Sequence, residues 1–129
     1  MESVVLGILV THGGLGRELV RTAEAILGPQ EHIEFVSNSG ASLEGLSEWV
    51  RRLIEDRAAG PVYMFVDLAG GSCGHVCQEV RRLRPDTVVF TGVNLPMLLE
   101  FFHYRGRVTD EELRRRLMAK GRDGIQCLG

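Results

Sequence analysis

His12 stands at the mouth of an apolar run and is followed at once by glycines, in Gly7-Ile8-Leu9-Val10-Thr11-His12-Gly13-Gly14-Leu15-Gly16. A second apolar run, Val62–Val66, ends on Asp67 and opens into Leu68-Ala69-Gly70-Gly71-Ser72. An imidazole and a carboxylate have a definite joint use. When the acid accepts from Nδ1–H, the tautomer is fixed and Nε2 keeps its lone pair. Nε2 is then a nucleophile aimed away from the acid, which also stabilises the positive charge that the ring gains on attack. Gly70-Gly71-Ser72 leads into a helical pattern, whose free amides and dipole favour an anion. Glycines let a bulky phosphoryl group approach the backbone, and Ser72 can add a hydroxyl donor. The set fits a histidine that carries a phosphoryl group. His12 and Asp67 are its catalytic candidates, and Thr11, Gly13, Gly70, Gly71 and Ser72 its phosphate-side candidates. Each piece alone has a bland reading: a loop histidine, and an aspartate that caps a helix or a turn.

Competing chemistries fit less well. The chain has no GxxxxGK[ST] motif and a single lysine, Lys120, so a P-loop is excluded. Gly13-Gly14-Leu15-Gly16-Arg17-Glu18 lacks GxGxxG spacing. A phospho-aspartate at Asp67 would need a magnesium site with acidic residues after the first strand, where this chain has Thr11 and His12. Cys73, His75 and Cys77 offer three metal donors, but i and i+4 share a helix face that His75 does not; no metal and no cofactor is expected. His32 and His103 read as surface or boundary residues.

The elements that must position these groups are legible from periodicity. Val4–Val10, His32–Ser37, Val62–Val66 and Thr87–Thr91 read as strands. A helix is predicted over Leu15–Leu27, with Leu15, Leu19, Thr22, Ala23, Ile26 and Leu27 on its inner face and Gly28-Pro29 ending it. Ser42 caps a second, with Leu43, Leu46, Trp49, Val50, Leu53 and Ile54 on one face. A third runs from about Cys73 to Leu83, and a fourth follows Asn94 with Pro96 in its first turn. Thr109 and Glu112 form a capping-box pattern for the last helix, which Gly121 to Gly124 should stop. Ile125–Leu128 reads as a short final strand.

Alternating strands and helices imply an α/β fold, an open doubly wound parallel sheet with right-handed crossovers and helices on both faces. In such sheets ligands bind beyond the carboxyl ends of strands, where strand order reverses. An order of 2-1-3-4 puts that point between the first and third strands, which brings His12 to Asp67.

Composition narrows the classes further. The 129 residues fit one domain, taken as 1–129, with no repeat or linker. Hydrophobic content of 44% and charged content of 25% are ordinary for a globular protein. The net charge is −2, and Arg51-Arg52, Arg81-Arg82 and Arg114-Arg115-Arg116 fall inside helical patterns, so a nucleic-acid partner is poorly supported. No signal-peptide pattern or membrane-length apolar run occurs. The three cysteines, an odd number, point to a reducing compartment, the cytoplasm.

Four separated motifs then carry a resemblance: ILVTHGGLGRELVRTAEAILG, VDLAGGS, TGVNLPMLLE and GRDGI. From about residue 4 to residue 128 the chain resembles the mannose-class enzyme IIA domain of the bacterial phosphoenolpyruvate-dependent sugar phosphotransferase system. The resemblance implies a phosphotransferase whose His12 takes a phosphoryl group on Nε2 from the histidine phosphocarrier protein. An enzyme IIB partner then receives it for sugar uptake. Asp67 matches the orienting acid, and Ser72 with the preceding glycines matches the phosphate-side loop. The resemblance also implies a homodimer that exchanges an antiparallel edge strand, here Gly124–Leu128, and at most peripheral association with a permease. A IIB domain would lie on another polypeptide. The family commonly has a proline after GGS, then a bulky residue and asparagine; Cys73-Gly74-His75 departs from this and implies a looser helix start. Two other roles share the same residues: a regulatory sensor of phosphorylation state without transport, and a phosphoryl donor to a dihydroxyacetone kinase.

Overall fold

The computed structural model describes residues 5–129, so Val4 lies outside the described residues. Strands β1 (Leu6–Thr11), β2 (Ile33–Ser37), β3 (Val62–Val66) and β4 (Val88–Thr91) alternate with helices α1 (Leu15–Leu27), α2 (Leu43–Arg57), α3 (Gly71–Leu83), α4 (Leu95–Tyr104) and α5 (Asp110–Asp123). All strand pairs are parallel, in the order β2-β1-β3-β4. Central β1 and β3 are buried along their whole length, which is why they read as continuous apolar runs rather than alternating ones.

Successive side chains of a strand face opposite sides of the sheet, and two cores result. Leu6, Ile8, Val10, Met64 and Val66 pack with Leu46, Val50 and Ile54 of α2 and Val76 and Val80 of α3. Leu9, Tyr63, Phe65 and Phe90 pack with Val20, Ala23, Leu98, Phe101, Leu113 and Leu117 of α1, α4 and α5. At Gly7 an ideal Cβ would lie 2.8 Å from the Phe101 ring, so the missing side chain is what lets α4 close on β1. Arg105, beyond α4, donates to the carbonyls of Val5, Glu31 and His32 and stacks over Phe101 and Phe102, clamping the ends opposite to His12.

Several local expectations shift. The buried positions of α1 are Gly16, Val20 and Ala23, whereas Leu15, Ile26 and Leu27 are exposed. Thr22 also faces water. The contact line is set by small residues, since they let the helix approach the sheet closely. In α2, Leu43 and Trp49 are exposed and only Leu46, Val50 and Ile54 are buried, the apolar face being wider than the contact beneath it. Gly121 does not stop α5. It is buried inside the helix, where a Cβ would come within 2.8 Å of Met97, and the helix runs on to Asp123, where Gly124 caps it as expected. Thr109 accepts from the Glu112 amide, but the Glu112 carboxylate turns to Arg116 instead of completing a reciprocal box.

Residues 125–129 form no strand in the single chain, and Ile125 and Leu128 are 80% and 87% exposed. A strand needs a neighbouring backbone, and the lone chain brings none to this segment. Among the described residues, no helix is long and apolar enough to cross a membrane.

Candidate functional site

The strand order puts the carboxyl ends of β1 and β3 side by side, with Val10 opposite Val66 in register. His12 and Asp67 follow those ends and meet. His12 Nδ1 lies 3.2 and 3.1 Å from the two Asp67 carboxylate oxygens, and the His12 backbone N–H donates to Oδ2 at 3.0 Å. The backbone contact has no sequence signal, yet it fixes both partners: Asp67 holds the main chain of the turn as well as the ring. The Asp67 side chain is 13% exposed and that of His12 is 41% exposed. With Nδ1–H donated to the acid, Nε2 holds the lone pair, as a nucleophilic role requires.

Nε2 faces the start of α3. Gly71 has φ of 84°, and an ideal Cβ there would lie 3.3 Å from Nε2. A side chain at this position would be strained and would crowd the nucleophilic nitrogen. Gly70 is the N-cap of α3 and provides no side-chain hydrogen bond, so the first-turn amides are left for an anion. The helix starts at Gly71 rather than at about Cys73, and it is tightly seated rather than loose. A Cβ on Gly74 would meet the Ala69 carbonyl oxygen at 2.2 Å, so glycine lets the first turn pack against the loop that carries Asp67.

Two phosphate-side candidates are placed otherwise. Thr11 is buried and its hydroxyl accepts from the Gly16 N–H at 2.7 Å, capping α1 rather than facing His12. Gly16 must lack a side chain for this, since its Cβ would stand 2.9 Å from Thr11 Oγ1. Gly13, with φ of 55°, turns the chain but gives its N–H to Asn38 Oδ1 at 3.3 Å. Asn38 also donates from Nδ2 to Ser72 Oγ at 3.3 Å, bridging the two loops on either side of His12. Sequence reasoning missed Asn38. The signal was present, because it follows β2, the other neighbour of β1, and the carboxyl-end rule applies to that strand too.

Among the described residues, His12, Asp67 and Cys73 form the one grouping with donor atoms close enough to hold a metal ion, within 4.8 Å of one another. The geometry does not favour it. Burial first, and then the Asp67 charge, push the Cys73 thiol up, against a hydrogen bond from Ser72, and a protonated thiol is a poor ligand. His75 faces solvent while Cys73 and Cys77 are buried, so that trio does not converge. His32 and His103 are exposed and stand on other elements. Next to the His12 turn an open groove is lined by Gly13, Gly14, Arg17, Phe35 and Trp49.

Comparison with known proteins gives the same frame. Residues 7–118 match the family EIIA-man, described as the PTS system fructose IIA component. The mannose-specific EIIAB component of the PTS from Escherichia coli K12 is 31% identical over 132 residues, which cover 98% of this chain and 39% of that protein. The chain thus spans about two fifths of the length of the curated relatives it matches. Among solved structures, a phosphotransferase component EIIA from Streptococcus agalactiae superposes with a TM-score of 0.87 at 24% identity, covering 95% of this chain and 96% of that one. A mannose/sorbose-specific IIA subunit from Enterococcus faecalis gives 0.83 at 22% identity, covering 100% and 96%. These structural likenesses concern the fold.

Proposed function

Since this chain belongs to the EIIA-man family, the mannose-class IIA components of the sugar phosphotransferase system, we propose that it is a phosphoryl carrier that cycles through phospho-His12. The observation that carries the reading is the paired placement of Nδ1 on Asp67 and Nε2 against Gly71 at the uncapped start of α3. The Nε2 lone pair attacks the phosphorus of a phosphorylated histidine phosphocarrier protein. The donor's P–N bond breaks and its electron pair returns to the donor imidazole. The His12 ring gains positive charge with its proton still on Nδ1, and Asp67 stabilises that charge. A nucleophile of a IIB partner then attacks the same phosphorus, the His12 P–N bond breaks with its electron pair returning to Nε2, and the group passes on for sugar uptake. Ser72 and the first-turn amides of α3 receive the phosphoryl oxygens as neutral donors, which keeps the P–N bond labile in both directions.

The same reading takes residues 1–129 as one IIA domain acting in the cytoplasm as a homodimer. The exposed apolar segment Ile125–Leu128 and the outer edge of β4 support an exchanged antiparallel strand, which would cover both. His12→Ala tests the core of the proposal. Phosphoenolpyruvate and the general phosphotransferase proteins should leave an acid-labile phosphate on the native chain and none on the variant. Acid-labile phosphate that persists on the variant, or maps to His75, refutes it.

A further inference from the structure

We infer that Asn38 is a positioning residue, which aims the Ser72 hydroxyl at the phosphoryl group. The inference rests on the phosphate-side role proposed for Ser72. Its geometry begins with Gly13, whose N–H can only donate, so the face of the Asn38 carboxamide turned toward it is Oδ1, at 3.3 Å. That orientation leaves Nδ2 facing Ser72 Oγ, also at 3.3 Å. Nδ2 can only donate, so Ser72 Oγ must accept, and the hydroxyl proton is left for the weakly accepting Cys73 sulfur or for an incoming anion. The Asn38 main chain is itself fixed: its N–H donates to the Thr11 carbonyl at 3.2 Å and its carbonyl accepts from Ala41 at 3.1 Å. One side chain therefore ties the His12 turn to the Ser72 turn and decides which way the serine proton points. A hydroxyl held in this way gives up no more than a weak contact with the Cys73 thiol when it donates to an incoming anion.

An aspartate at this position makes the opposite choice. One carboxylate oxygen still accepts from Gly13, but the other would accept from Ser72 and turn the proton away from the phosphoryl site. The experiment measures single-turnover phosphorylation of His12 by phosphorylated phosphocarrier, in rapid quench, for N38A, N38D, S72A and N38A/S72A. Thermal unfolding of each variant is followed alongside. N38A and S72A should each slow transfer by about 10-fold, the worth of one directed donor. N38D should be at least as slow as N38A while it unfolds like the native chain. In the double variant the loss should equal that of S72A alone, because Asn38 acts through Ser72. Additive losses mean that Asn38 merely braces the loops, and this overturns the inference. Native rates for N38A and N38D beside a slow S72A overturn it as well, and leave the role of Ser72 standing. A native rate for S72A refutes the phosphate-side role of Ser72 and the inference with it. N38D retains the Gly13 contact, so its rate decides between these outcomes if N38A folds poorly.

Discussion

Asp67→Asn is the most informative perturbation, because the structure dictates which atom of the new amide goes where. The His12 backbone N–H points at Oδ2 from 3.0 Å and needs an acceptor, so the asparagine oxygen must occupy that place. The NH2 group then falls at the position of Oδ1, 3.2 Å from His12 Nδ1. The NH2 competes for Nδ1 as an acceptor, while the amide oxygen 3.1 Å away still takes Nδ1–H. The tautomer that leaves the lone pair on Nε2, facing Gly71, is therefore no longer enforced. The charge that would stabilise the phosphorylated ring is lost too. At 3.1 Å and an effective dielectric of about 20, a full charge pair is worth about 5 kcal/mol. The His12 side chain is 41% exposed, and solvent screening cuts the useful part to about 2–3 kcal/mol. Transfer to His12 should therefore slow by roughly 30- to 150-fold, before any tautomer penalty. Folding should change by about 1 kcal/mol or less, since the backbone N–H keeps an acceptor. Two assays check this: rapid-quench phosphorylation by the phosphocarrier, and 15N imidazole spectra, which report the protonated nitrogen. A variant that keeps its proton on Nδ1 and phosphorylates within about threefold of the native rate refutes the orienting role of Asp67.

Gly74→Ala should destabilise the chain by about 3 kcal/mol or more, because its Cβ would overlap the Ala69 carbonyl oxygen at 2.2 Å. Denaturant titration followed by circular dichroism measures this, and an unchanged midpoint would show that the loop yields freely. Of the three cysteines, only Cys127 is exposed, so one thiol should react with a thiol-specific reagent in the native state and three after unfolding. Cys77 adds a pH dependence. Burial first, and then neighbouring Cys73, push its thiol from an ordinary 9.0 up to about 12. Between those values the unfolded chain releases the proton and the folded chain keeps it, so stability falls as pH rises from about 9 toward 12. Denaturant midpoints at pH 8 and pH 10 should show the loss in the native chain and less of it in Cys77→Ala.

Much of this architecture is legible in the sequence because burial writes it there. A parallel strand covered on both faces must be apolar throughout, which marks Leu6–Thr11 and Val62–Val66. Ser42, Asn94 and Thr109 mark helix starts because each side chain accepts from an otherwise unpaired amide. The helix faces were less legible. Leu15 and Ile26 look like core residues of α1, but Gly16 and Val20 make the contact beside the expected Ala23. Periodicity reports hydrophobicity, and close approach between a helix and a sheet rewards small size.

The site divides along the same line. By itself, the sequence determined that a histidine and an aspartate each follow a buried strand, and that glycines clear the space around them. One rule of strand order then suffices to pair His12 with Asp67. Only the tertiary structure decided the finer assignments. It turned the Thr11 hydroxyl inward to cap α1, set Gly71 against Nε2, and gave the Gly13 N–H to Asn38. Asn38 reaches Ser72, 34 residues away. Such contacts depend on tenths of an ångström and on which donor is already satisfied. Those are properties of three chain segments meeting in space, and no single segment encodes them.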